Sequence, residues 1–165
     1  MSGVREPAVA GLFYPAASDE LRTTIEGYLA AAHSTGSAPK ALIAPHAGYV
    51  YSGPVAAAAY ASLAEARGEV RRVVLLGPAH RMALAGMAIS SATAFSTPLG
   101  EVPVDAEAFE IAKGVPNVRV FDPPFEDEHS LEVQLPFLQV VLEDFQVLPV
   151  LVGQTPPESV AALID

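Results

Sequence analysis

The sequence predicts an α/β protein built on a mostly parallel sheet flanked by helices, and three observations predict it. First, residues 41–44 (ALIA) and 73–76 (VVLL) are short apolar runs with the length and composition of buried parallel strands. Second, the stretch between them carries Val55, Ala58, Ala59, Ser62, Leu63 and Ala66 at helical spacing. Gly53-Pro54 opens that stretch and Gly68 closes it, as proline just inside a helix start and glycine just past its end commonly do. Third, each apolar run is followed by a proline and then a histidine, His46 after Pro45 and His80 after Pro78. A strand, crossover helix and parallel strand form a right-handed unit. In that unit His46 and His80 leave the same carboxyl edge of the sheet, where open α/β sheets bind ligands.

The remaining elements follow in order. Residues 1–17 are irregular, with the aromatic segment Phe13-Tyr14 packed across the domain. Ser18 is the expected N-cap of an amphipathic helix carrying Leu21, Ile25, Tyr28, Leu29 and Ala32, with Asp19 and Glu20 in the first turn, where the helix dipole favours acids. His33 ends it as a dipole partner, and residues 34–37 are a loop. Residues 87–90 read as a strand and 91–101 as a loop around Thr97-Pro98-Leu99-Gly100. Asp105 caps a short helix, and residues 118–121 form a strand. A polar loop then feeds a helix with Leu131, Leu135, Leu138 and Leu142 as its buried stripe, interrupted by Pro136. Residues 146–152 form a strand that Pro149 moves towards an edge. Thr155 and Glu158 fit a capping box for a last helix that stops after about two turns, short of the ~11–12-residue mean, so a truncated chain is expected.

Composition narrows the function classes. The 165 residues are expected to form one domain, 51% hydrophobic and 17% charged, which suits a compact core and not a disordered chain. No apolar run reaches the ~18 residues of a membrane span, and the opening residues do not form a signal peptide, so a cytoplasmic protein without a membrane partner is expected. There is no cysteine, hence no disulfide, thiolate ligand or cysteine nucleophile within these residues. A net charge of −10 argues against a nucleic-acid partner, and Arg71-Arg72 reads as solvated edge charge.

Chemistry concentrates at three places. His46 and His80 are candidate metal ligands, since imidazole is the commonest protein ligand and a two-histidine, one-carboxylate set with open positions suits non-haem Fe(II). The bland alternative is a pair of satisfied loop histidines. In the loop after His46, Gly48 and Gly53 permit unusual backbone conformations, and Tyr49 and Tyr51 are candidate substrate-pocket donors, against the alternative of packed tyrosines. The helix start at Pro54 would favour an anion. His129 and Glu132, three apart on one face and the candidate catalytic pair, form a third candidate with the acidic run Glu126-Asp127-Glu128, His129 acting as a general base or as a partner behind the ligands, oriented by a carboxylate. The alternative reading is a helix cap beside the solvated acids Glu126 and Asp127. No Walker, GxSxG or GxGxxG sequence is present.

Taken together, VREPAVAGLFYP, APHAGYVYSGPVAAAAY, RVVLLGPAHR, ISSATAFSTPLGEVPVD, DEHSLEVQLPFLQ and LPVLVG resemble the Memo (mediator of cell motility) family, called AmmeMemoRadiSam system protein B in microbes. The resemblance covers almost all of the sequence. It implies a fold similar to class III extradiol dioxygenases, enzymes that open catechol rings with Fe(II) and oxygen, with His46 and His80 lining a metal-capable pocket for iron(II) or copper. It marks the stretch holding His129 and Glu132 as a hallmark without assigning its role. Ala79 stands where many relatives have serine. The family's later SSD-x-x-H and cysteine-containing segments, which would carry the third metal ligand, have no counterpart here, so the sequence resembles the amino-terminal part of a family domain that is incomplete.

Three functions stay open. One is a metal-dependent, dioxygenase-like or redox enzyme. Another is a non-catalytic protein holding a small molecule, a peptide or an anionic partner, with a radical SAM protein and its companions as implied partners. Hydrolysis or phosphorolysis is weaker, because no serine motif or second metal set is visible.

Overall fold

The computed structural model describes residues 1, 3–33 and 37–164, and it shows an α/β architecture with two mixed sheets flanked by helices. The expected loop residues 34–36 lie outside the described residues. The elements are β1 (Val4–Arg5), α1 (Ser18–Ala31), α2 (Tyr49–Ala61), β2 (Arg72–Pro78), β3 (Met87–Ile89), β4 (Ala94–Thr97), β5 (Gly100–Pro103), α3 (Ala106–Ala112), β6 (Val118–Val120), α4 (Leu135–Val141), β7 (Gln146–Val152) and α5 (Pro157–Ile164). One sheet runs β2-β7-β3-β6, with β2–β7 and β3–β6 parallel and β7–β3 antiparallel. The other runs β1-β4-β5, parallel then antiparallel. The sheets are therefore mixed, where the sequence predicts a mostly parallel one.

The period-two alternation of β7 explains the layering. Val147 and Leu151 join one core with Leu21, Ile25, Ala57, Tyr60, Phe137 and Leu138 from α1, α2 and α4. Leu148 and Val150 face a second core with Met87, Ile89 and Phe109, against which Val160 and Leu163 of α5 pack. Helices thus cover both faces of the larger sheet. Among the described residues no helix is long and apolar enough to cross a membrane.

Several expectations are corrected. Residues 41–46 have no regular secondary structure and pair with no strand among the described residues; Leu42 and Ala44 lean on the core while Ile43 is 98% exposed. A strand is defined by its hydrogen-bonded neighbour, and composition alone does not supply one. The strand–helix–strand unit therefore lacks its first strand. The following helix starts at Tyr49, not at Pro54, which lies inside it. The backbone of Gly48 has φ −58°, and Gly53 is helical with the Tyr28 ring against its Cα, so glycine serves close packing at Gly53 and no left-handed turn at either position. Residues 91–101 hold most of a β-hairpin: Thr97 Oγ1 donates to Gly100 O and accepts from Leu99 N across the turn between β4 and β5. Pro149 sits in an interior strand, between Val147, which bridges Val104, and Val150, where pairing with β3 begins. Its missing N–H falls in that gap. Pro136 occupies the first turn of α4, where no N–H is needed, after a separate 3₁₀ turn at Glu132–Gln134. Thr155 Oγ1 is buried without a hydrogen-bond partner, so the capping box does not form.

Asp105 behaves as expected. Its side chain caps α3 through Ala108 N and pairs with Arg72, the first residue of β2.

Candidate metal centre

Three histidines meet where β2 ends. The ring centroids of His46 and His80 are 5.2 Å apart, those of His80 and His129 4.7 Å and nearly parallel, and those of His46 and His129 6.1 Å. The histidine pair expected at one edge is thus side by side, although His46 arrives on a segment without regular secondary structure. That segment is tied down by Gln134, whose amide donates to Pro45 O and accepts from Tyr60 of α2, and by Ser52, whose hydroxyl donates to Ala47 O. His129 packs against the Phe13 ring, 4.6 Å between centroids.

Beneath the imidazoles lies Glu128, 3% exposed. Its Oε2 accepts from His80 N, and its Oε1 from His80 Nδ1 (2.9 Å), His129 N (2.9 Å) and Ser130 N (2.9 Å). Oε1 also lies 3.2 Å from His129 Nδ1, a buried atom with no aligned hydrogen bond. The approach depends on Gly77 in β2, because a Cβ there would sit 2.7 Å from Leu131 Cδ2 and 2.8 Å from Ser130 Oγ. Ser130 Oγ in turn donates to Pro78 O (2.8 Å), joining the loop to the strand end.

Burial works against a charge on Glu128, but the donors from His80, Ser130 and His129 outweigh it and hold the carboxyl down at about 2. Burial lowers the pKa of His46, with His80 adding to the effect and Glu128 opposing it. Burial also lowers that of His129, against the pull of Glu128 and with help from His80, His46 and Arg81. Neutral imidazoles keep a lone pair for a metal. Ligand atoms of His80, Glu128 and His129 all lie within 4.8 Å of one another, a group that could hold a metal ion.

The other candidates are placed differently. Glu132 does not orient His129. It is 1% exposed, and its oxygens accept from Arg5 (2.8 Å), Ala8 N (2.8 Å), Val9 N (3.0 Å) and Tyr14 OH (2.6 Å). It therefore anchors the amino-terminal segment. Tyr49 is buried, donates its hydroxyl to Val133 O (2.8 Å) and packs against Tyr14 and Phe137. Tyr51 is 85% exposed and lines an open groove of about 950 Å³ with Leu12, Phe13, Ile43, Pro45, His46 and His129. The anion site expected at the helix start moves to Tyr49, whose N–H is taken by Phe13 O. Glu126 and Asp127 are exposed. Sequence reasoning included Glu128 in the candidate acidic run Glu126-Asp127-Glu128 but missed it as the anchor of the histidines, which its place next to His129 could have suggested.

The fold and cluster define an α/β protein with a histidine–carboxylate group able to hold a metal. Comparison with known proteins sharpens this. The profile of "Memo-like protein" matches residues 5–164. The chain is 42% identical over 166 residues to a MEMO1 family protein of Thermotoga neapolitana, covering 93% of this chain and 60% of that one. It is 41% identical over 174 residues to a MEMO1 family protein of Ignicoccus hospitalis, with 98% and 60% covered. Against Protein MEMO1 of Danio rerio it is 38% identical over 154 residues, with 90% and 51% covered. The chain belongs to the Memo family. It spans between half and three-fifths of the length of these curated relatives.

Proposed function

We propose that this chain is the metal-binding part of a Memo-family protein, holding one non-haem ion, iron(II) first and copper second, through His46, His80 and His129. The observation that carries the reading is the meeting of three imidazoles with ring centroids 4.7–6.1 Å apart over one buried carboxylate, burial lowering the pKa of two of them. Imidazole donors suit iron, copper and zinc, so the residues present fit the group. A bound redox metal would supply one-electron chemistry, and a dioxygenase-like reaction on a fold similar to class III extradiol dioxygenases is an analogy of fold. The chain's own contribution is to hold His80 and His129 on Glu128, to hold His46 through Gln134, and to shelter the rings beside an apolar groove. Further ligands would come from the additional length of the relatives.

Titration of the protein with Fe(II) under anaerobic conditions, followed by calorimetry, tests the reading. One ion per chain is expected, with binding at least tenfold weaker in His46→Ala and in His80→Ala. Equal binding in both variants, or none in the parent, overturns it.

A second reading is favoured by the exposed side chains around the groove. Leu12, Ile43 and Tyr51 are 80–98% exposed. A peptide partner, or the radical SAM companion implied by the family, would cover them. His46→Ala should then abolish metal binding and leave partner binding intact.

A further inference from the structure

We infer that Glu128 positions the metal-binding histidines from behind and is not itself a metal ligand. This rests on the metal reading above, but its first test does not. A carboxylate offers about four lone-pair sites. Three hydrogen bonds converge on Oε1, from His80 Nδ1, His129 N and Ser130 N, and one reaches Oε2, from His80 N. An ion taking Oε1, the oxygen that faces both rings, would have to displace one of its donors, and the residue is only 3% exposed. Two of the three backbone donors lie in one loop, so displacement would also loosen the turn that carries His129.

The same contacts fix the imidazoles. A carboxylate only accepts, so the 2.9 Å bond to His80 requires a proton on Nδ1, which leaves the Nε2 lone pair as the donor to any ion. Nδ1 of His129 faces the same oxygen at 3.2 Å and is buried, so Nε2 is again the accessible nitrogen. With one oxygen behind both rings and the rings stacked at 4.7 Å, two Nε2 atoms are offered side by side next to His46. Such carboxylate–histidine pairs set tautomer and orientation, and their loss typically weakens metal binding 10–100-fold. The close approach of His80, Glu128 and His129 is thus the approach of a support to the rings it holds.

Two measurements on the protein decide the matter. Long-range ¹H–¹⁵N NMR of the metal-free protein should show His80 with a proton on Nδ1, and Glu128→Gln should shift it towards the Nε2–H form. A proton on Nε2 in the parent, or no change in the variant, overturns the inference whether or not metal binds. If the variant does not fold, the parent spectrum alone decides. X-ray absorption of Co²⁺-loaded parent and Glu128→Gln is the second measurement. The nitrogen-dominated shell should be the same in both, with affinity reduced about 10–100-fold in the variant. Loss of an oxygen ligand in the variant would make Glu128 a ligand and overturn the inference. Absence of Co²⁺ binding in the parent would sink the metal reading and leave the NMR result standing.

Discussion

Glu128 and Glu132 are four residues apart, both almost fully buried, and each accepts four hydrogen bonds, yet they serve different parts of the molecule. All the donors to Glu132 come from the amino-terminal segment, including the Arg5 guanidinium and the Tyr14 hydroxyl. Its side chain is sealed. The donors to Glu128 are three backbone N–H groups and an imidazole whose side chain is 38% exposed. The difference lies in what the acid holds. Glu132 ties a chain segment to the core, whereas Glu128 ties reactive rings to a strand end.

The largest effect that tests this contrast is the loss of Glu132. Glu132→Ala strands the mostly buried Arg5 and three further donors, and breaking such a pair costs about 3–5 kcal/mol. Chemical denaturation should show that loss while the metal affinity of the remaining folded protein stays unchanged. A metal defect at full stability would merge the two roles.

Acid should probe Glu128 next. Its carboxyl is held at about 2, below the ordinary 4.5, so the folded state gains from its charge above pH ~4.5 and loses that gain as pH falls towards about 2. The shift corresponds to about 3 kcal/mol. Stability of the metal-free protein against pH should fall through that window, and Glu128→Gln should flatten the fall. An equally steep acid limb in the variant would assign the effect to other carboxylates.

Gly77→Ala tests the geometry between strand and loop. The added methyl would meet Ser130 and Leu131, and overpacking of this kind costs about 1–3 kcal/mol. Because Ser130 follows His129, the variant should also weaken metal binding, read by the same titration. Tyr51→Ala should do least, within about 0.5 kcal/mol in thermal unfolding and without effect on metal, since the ring is 85% exposed.

Much of this was legible in the sequence where local chemistry decides. The apolar stripe of Leu21 and Ile25, the Asp105 cap, the β2 and β7 runs and the family motifs all carry their own signal, and the matching proline-then-histidine ends of two apolar runs pair His46 with His80. The rest depends on long-range partners. Residues 41–44 have strand composition but no neighbouring strand among the described residues. Helical spacing placed His129 beside Glu132, yet the segment bends through a 3₁₀ turn and Glu132 turns to Arg5, 127 residues away in sequence. Glu128 stays undistinguished within the acidic run Glu126-Asp127-Glu128, because nothing local says that His80 will arrive above it.

The central claim is that the ion sits on imidazole nitrogens and that Glu128 stands behind them. Anomalous diffraction from crystals of the metal-loaded protein tests it most directly. The account predicts one ion bound by His46, His80 and His129, with Glu128 Oε1 still hydrogen-bonded to His80 Nδ1. An ion bonded to a Glu128 oxygen, or seated away from the three rings, would contradict it.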